Sequence, residues 1–233
     1  MKRSEVNAIL RDADAFIRSY GFALPPFAHW SPDELRRRAG PAILDARLGW
    51  DVTDYGRGDF RHLGLALFTL RNGSLADLRR GGGMCYAEKL LISREGQLSP
   101  MHRHVLKAED TINRGGGTLV IEPYRSEPDG SVDRASPVEV PCDGTLRRLA
   151  PGERLQLAPG ESVTLMPGVW HAFWGEAGPG GGTGDVLIGE VSTVNDDETD
   201  NVFEDDLPRF ASIEEDEAPW RWLVSDYGTW GAG

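Results

Sequence analysis

Past residue 48 the chain is written in short segments. Eleven stretches rich in β-forming residues follow one another, near 49–53, 61–70, 84–94, 101–105, 117–124, 137–140, 145–149, 153–157, 162–166, 171–175 and 185–194. Gly, Pro, Asn or Asp separates them, the residues that give turns their special backbone angles. Asn72-Gly73, Pro128-Asp129-Gly130, Asp143-Gly144 and Pro159-Gly160 are turn signals of this kind. A run of short strands with no helix-length segments between them pairs antiparallel and closes into a sandwich or barrel. The expectation is a mainly β fold. Ahead of it, Val6, Ile9, Leu10, Ala13, Phe16, Ile17 and Tyr20 repeat at helical spacing, with Ser4 as a candidate N-cap and Gly21 as a stop. Ser31-Pro32-Asp33-Glu34 has the cap, the proline and the N3 glutamate of a second helix start. The predicted organisation is one domain: a helical lead-in, 1–47, packed on a barrel with a C-terminal extension, 48–233.

Charge narrows the partners. The chain carries 25 Lys+Arg against 37 Asp+Glu, a formal net charge of −12. Bulk attraction to nucleic acid is excluded as a working principle. Residues 195–217 hold eleven acids and one base, Arg209, so −10 of the −12 sits there. Asn195–Phe203 follows a predicted strand directly and is expected at the mouth of a site. Glu204–Glu217 reads as solvated surface, and the Trp-rich stretch Pro219–Trp222 and Trp230 that follow argue against a disordered end. Cys85 and Cys142 form no CxxC and no disulfide framework. No stretch is long and apolar enough for a signal peptide or a membrane span. A cytoplasmic protein with no membrane partner is the expectation.

Of five histidines, His102 and His104 stand two apart on a predicted strand, so both imidazoles face the same way and can reach one ion. Glu109 follows five residues later, and His171 comes after the tight turn Pro167-Gly168-Val169-Trp170. Three imidazoles and a carboxylate suit Mn, Fe, Co, Ni or Zn better than Ca or Mg. His29 and His62 read as structural or surface residues. Trp170 and Trp174 flank His171 and read either as packing aromatics or as a sugar-stacking wall.

Gly96, His102, His104, Glu109 and Gly116 fit the first motif of the cupin superfamily without a gap, and Gly160, Pro167, Gly168 and His171 approximate the second. The second departs by one residue between Gly160 and Pro167, and Gly175 stands where an Asn is common. The resemblance implies a double-stranded β-helix, or jelly-roll barrel, with a metal held inside by His102, His104, Glu109 and His171. Over nearly its full length the chain further resembles the D-lyxose isomerase family of cupins. That likeness rests on the helical lead-in, Tyr86-Ala87-Glu88-Lys89, the run Gly96–His104, Pro167–His171 and above all Gly189–Asn201. It implies a homodimeric enzyme that uses Mn²⁺ to interconvert D-lyxose and D-xylulose, and D-mannose and D-fructose, through a metal-stabilised cis-enediol.

Four protein ligands would leave about two of six positions for substrate oxygens. A base must carry a proton between C2 and C1, and an acid must serve the oxygens. On the predicted strand 185–193, Glu190 shares a face with Val186 and Ile188, where a carboxylate is costly unless paired or used. Lys89 raises the same question beside Ala87 and Leu91. Glu190 is therefore the expected base and Lys89 the expected acid or hydroxyl-binding group. Asp200, Arg209 and Trp174 are the expected sugar contacts. Two other classes stay open at this point: a different metal cupin enzyme, such as another sugar isomerase, an epimerase or a dioxygenase, and a non-catalytic sugar-binding cupin.

Overall fold

The computed structural model describes residues 1–229; the predicted role of Trp230 lies outside the described residues. Helix α1 (Arg3–Ser19) buries Val6, Leu10, Ala13 and Ile17 along one stripe. Its N-cap is Lys2 rather than the expected Ser4. Ser4 lies in the first turn, where its N–H (2.9 Å) and hydroxyl (2.7 Å) both donate to the Asp216 carboxylate. A full negative charge is a stronger partner for a helix N-terminus than a local hydroxyl, which explains the shift. Gly21 takes φ +70° at the C-terminal stop. The second helix, α2 (Pro32–Arg38), has the predicted capping box, with Ser31 Oγ accepting from the Glu34 N–H. Two further short helices, α3 (Pro41–Leu44) and α4 (Leu75–Arg79), lack a periodic apolar stripe and escape sequence patterning.

The strands are β1 (Gly49–Thr53), β2 (Leu65–Arg71), β3 (Tyr86–Ser93), β4 (Ser99–His104), β5 (Glu109–Gly116), β6 (Thr118–Ser126), β7 (Val132–Asp133), β8 (Val138–Cys142), β9 (Thr145–Leu149), β10 (Leu155–Leu157), β11 (Ser162–Leu165), β12 (Trp170–Glu176), β13 (Val186–Thr193) and β14 (Asn201–Phe203). One antiparallel sheet runs β1-β2-β3-β13-β5-β11. The other runs β10-β6-β12-β4-β14, with β7 on β6, and β8 and β9 form a separate hairpin. That hairpin turns at Asp143 and Gly144, both with positive φ, as a two-residue primed turn requires. The two sheets face each other as the predicted jelly-roll barrel. Leu67, Leu91 and Ile188 of the first meet Leu119, Ile121 and Leu155 of the second in one buried core.

A second apolar cluster lies on the other side of the first sheet. There α1 packs on Trp50, Val52, Phe68, Leu90 and Leu187, and Leu223 joins from the C-terminal segment. The C-terminal acids are not merely solvated. Arg3, fully buried, lies between Glu215 (2.5 and 2.9 Å) and Asp226 (2.9 and 3.1 Å). The segment expected as free acidic surface therefore ties the two ends of the chain together.

β5 is absent from the sequence-based strand list. Its inward residues are Glu109, Thr111 and Asn113, with partly exposed Asp110 and Ile112 between them. The alternation is present but the polar set points inward, so an apolar period of two cannot show it. Asn113 is accepted there because every amide atom is used: Nδ2 donates to Gly117 O and Leu157 O, and Oδ1 accepts from Gly115 N–H.

Candidate active site

Strand pairing brings distant residues to one end of the barrel. On the second sheet His171 of β12 is directly opposite His102 of β4, and Asn201 of β14 is opposite His104. On the first sheet Glu190 of β13 is flanked by Lys89 of β3 and Thr111 of β5, while Ser192 pairs with Glu109. The two rows face each other across a small chamber of about 50 Å³. Its floor is apolar, with Leu67, Leu91, Phe173 and Ile188, and its upper wall is charged. A larger cleft of about 750 Å³, between residues 41–48, 69–77 and 194–198, lies on the other side of Asp197, which lines both.

The coordinating nitrogens of His102, His104 and His171 lie within 4.8 Å of one another. Two of the rings have their tautomer fixed by the backbone. His102 Nδ1 donates to Pro100 O at 2.8 Å and His171 Nδ1 donates to Val169 O at 3.1 Å. A carbonyl only accepts, so Nδ1 carries the hydrogen and Nε2 keeps its lone pair. Among the described residues the buried His171 Nε2 finds no hydrogen-bond partner. Glu109 stands 3.4 Å from His104 Nε2 and 3.3 Å from His171 Nε2. Burial, with the neighbouring His171 and His104, holds His102 well below the usual imidazole range, and burial first and Lys107 next lower His104. Neutral imidazoles with inward lone pairs are the form that binds a cation. These observations fit a transition-metal ion held by the three histidines with Glu109.

Lys107, unmarked by sequence reasoning, stands at the centre of the charged wall. Its ammonium is 2.6 Å from Glu109 Oε2 and 2.9 Å from Glu190 Oε1. Burial opposes its charge, but Glu109 and Glu190 outweigh burial and raise its pKa. Burial likewise pushes Glu109 up, and Lys107 followed by His104 overcomes this, leaving Glu109 well below the carboxylate range. Lys89 reaches Asp197 at 3.3 Å and Glu190 at 3.8 Å. Arg209 reaches Asp51 at 2.9 Å and Asp197 at 3.6 Å. Against burial, Lys89 and Arg209 hold Asp197 well below its ordinary value. Three cations thus alternate with four carboxylates in a buried space, an arrangement with high stakes for each member. Tyr55, at φ +50°, closes one side and shares a hydrogen bond with Ser99 at 3.0 Å.

Of the residues singled out from sequence, His102, His104, His171, Glu109, Glu190, Lys89 and Arg209 are brought together here. Two are not. Trp174 is a correction: it sits one position past Phe173, so strand alternation turns it to the outer face. There it donates to Glu176 (2.7 Å) under the Arg154 guanidinium. Asp200 is buried but does not line the chamber. Both its oxygens accept from backbone, Leu106 N–H at 2.6 Å and Lys107 N–H at 2.9 Å. Asp197, within the segment Asn195–Phe203 expected at the site mouth, lines the chamber; the residues missed are Lys107, Asp51, Tyr55 and Thr111. Its place two residues before Glu109 was the one available signal for Lys107. His29 and His62 lie outside the chamber, half-exposed near Asp14 and exposed beside Asp59.

Comparison with known proteins gives concordant results. A family model for D-lyxose isomerase matches residues 1–227. A D-lyxose/D-mannose isomerase of Serratia proteamaculans is 49% identical over 228 residues, covering 96% of each chain. One from Escherichia coli O157:H7 is 44% identical over 230 residues, covering 97% of this chain and 98% of the relative. Among solved structures, L-ribose isomerase of Acinetobacter sp. DL28 in complex with L-ribose superposes with a TM-score of 0.58 at 17% identity, over 91% of this chain and 98% of that one. L-ribose isomerase of Cellulomonas parahominis with L-psicose gives 0.56 at 15%, over 92% and 98%. At such identities the structural likeness speaks for the fold.

Proposed function

The chain belongs to the D-lyxose isomerase family, and from that premise we propose that it interconverts D-lyxose with D-xylulose and D-mannose with D-fructose. The observation that carries this reading is the facing pair of rows: a three-histidine cluster on one sheet and, on the other, Glu109 beside Glu190, which stands between two lysines. His102, His104, His171 and Glu109 would hold a divalent ion, for which we propose Mn²⁺. When bound, such an ion polarises the sugar carbonyl and stabilises negative charge that develops on neighbouring oxygens.

The rest of the work falls to side chains. Isomerisation removes a proton from C2 of the aldose and returns one to C1, through an enediol. Glu190 is the carboxylate best placed to carry it: its Oε1 is held by Lys107 at 2.9 Å, so its position is fixed before substrate arrives. Lys107 and Lys89 present the donors that an oxygen gaining negative charge requires. Arg209 and Asp197 hold hydroxyls at the chamber rim. The chamber has room for about four waters, less than a whole sugar occupies. Entry therefore opens the Lys89–Asp197–Arg209 contacts, and the sugar hydroxyls replace them. Both cysteines are free, in keeping with a reducing compartment, and we place the enzyme in the cytoplasm as a homodimer.

The test is direct. D-Lyxose incubated in D₂O with the enzyme and Mn²⁺ should give ketose with deuterium at C1, without O₂ consumption. Ketose free of solvent deuterium would replace proton transfer by a hydride shift. Glu190→Gln should keep Mn²⁺ and lose about 10²–10⁴ in kcat; near-normal kcat would remove Glu190 from the mechanism.

A further inference from the structure

We infer that Asp200 is a positioning residue: it clamps the turn between β4 and β5 and so sets the geometry of His104, Lys107 and Glu109. The inference rests on the metal-site reading above. The turn, residues 105–108, joins the second histidine of the His-x-His pair to the ligand glutamate. Its first three amides all end on one residue from the far side of the sequence. Val105 N–H donates to Asp200 O at 3.1 Å, Leu106 N–H to Oδ1 at 2.6 Å and Lys107 N–H to Oδ2 at 2.9 Å. The fourth, Ala108 N–H, donates to Thr193 Oγ1 at 3.2 Å.

Nothing apolar holds this turn from inside. Val105 is 48% and Leu106 59% exposed, so the two apolar side chains point outward while their backbone is drawn in. Lys107 is the only side chain of the first three to turn inward, and it turns into the chamber. The clamp itself is well anchored. Asn201, its neighbour, pairs with His104 in the sheet, and Asp200 N–H donates to Asp196 O at 3.1 Å. Asp200 Oδ2 also stands 4.0 Å from His104 Nδ1, a buried nitrogen with no hydrogen-bond partner. A carboxylate facing Nδ1 favours the hydrogen on that atom, which leaves Nε2 bare toward Glu109. His102 and His171 have Nδ1 hydrogen-bonded to backbone carbonyls; for His104 the Asp200 carboxylate, at 4.0 Å, acts on Nδ1 by its charge and not by a hydrogen bond.

Asp200→Asn in the full-length protein keeps the shape but turns one amide hydrogen bond into a clash of two N–H donors. At matched folding, Mn²⁺ binding, read by competition with a chelating dye, should weaken about 10–100-fold. Hydrogen exchange of the Leu106 and Lys107 amides in the metal-free protein should speed up. At saturating Mn²⁺ the KM for D-lyxose should stay within about twofold. Asp196→Ala is the control. Asp196 shapes the same segment through Glu198 N–H and Thr199 but makes no contact with the clamped turn, so Mn²⁺ binding should hold. Thr193→Val loosens the turn from its other end and serves if Asp200→Asn does not fold; it should weaken Mn²⁺ binding in the same direction. Unchanged Mn²⁺ affinity in the folded variants overturns the inference. Equal loss in Asp196→Ala reduces Asp200 to a loop stabiliser, and a tenfold rise in KM makes it a sugar contact instead; either overturns it. If the wild-type protein itself takes up no Mn²⁺, the metal reading fails first.

Discussion

Replacing Lys107 with methionine removes one charge and keeps most of the volume. In the metal-free protein it leaves Glu109 and Glu190 buried without the cation that now lies 2.6 and 2.9 Å from them. The ammonium and both carboxylates are more than nine-tenths buried, so solvent screening does little to discount the loss. Breaking a buried pair from one side costs about 3–5 kcal/mol. For a chain of this size each kcal/mol lowers Tm by about 2–4 °C, so the metal-free variant should melt about 6–20 °C below wild type. The pH dependence has a defined sign. Lys107 holds Glu109 below the ordinary carboxylate range. That contribution is present above the unfolded value and lost as pH falls through the lower folded value. Without Lys107, burial favours the protonated carboxyl, so the deficit should be large at pH 8 and shrink toward pH 5. A divalent ion restores positive charge beside Glu109, so Mn²⁺ should raise the Tm of Lys107→Met more than that of wild type. Thermal melts in chelator and in Mn²⁺ at both pH values measure all of this. A metal-free Tm within about 2 °C of wild type at pH 8, or a deficit that grows on acidification, would refute the reasoning.

Other outcomes follow from the same geometry. Arg209→Met strands Asp51, which burial already pushes above its ordinary range against the pull of Arg209; it should cost about 3–5 kcal/mol by denaturant titration. Trp174→Phe, on the outer face, should leave KM for D-lyxose within about twofold, measured by steady-state kinetics. Dialysis against chelator should abolish isomerisation and Mn²⁺ should restore it. Mn²⁺ affinity, followed by dye competition, should fall on acidification, because protons and metal compete for the same imidazole nitrogens.

The parts of the site that were legible in the sequence are those with a local signature. His102 and His104 betray a shared strand face by standing two apart, and the Pro167-Gly168 turn announces His171. Glu190 was visible because a carboxylate interrupts an apolar face. Three kinds of feature were not legible. β5 presents polar side chains inward, which erases the hydrophobic alternation that marks a strand. Asp51 and Arg209 meet only through the fold, and neither has a neighbour that hints at the other. Asp200 looked like a sugar ligand because it is an acid in the most family-specific stretch, and only the fold shows its oxygens taken by amides. A β sandwich or barrel was readable from turn spacing and its jelly-roll form from the likeness to cupins, whereas α3 and α4, which line the larger cleft, are too short to leave a periodic trace.

The burial of Arg3 between Glu215 and Asp226 imposes an order of events on a chain made from its N-terminus. Until Glu215 and then Asp226 leave the ribosome, the arginine lacks the counter-charges with which it enters the protein, and burying an unpaired charge is costly. Helix α1, made before the sheet it covers, is therefore late to dock. At about 5–20 residues per second, the outer face carrying Trp50, Phe68 and Leu90 waits on the order of ten to thirty seconds for its cover. During that interval a nascent chain offers chaperones, or another nascent chain, an apolar sheet face that the finished protein never shows.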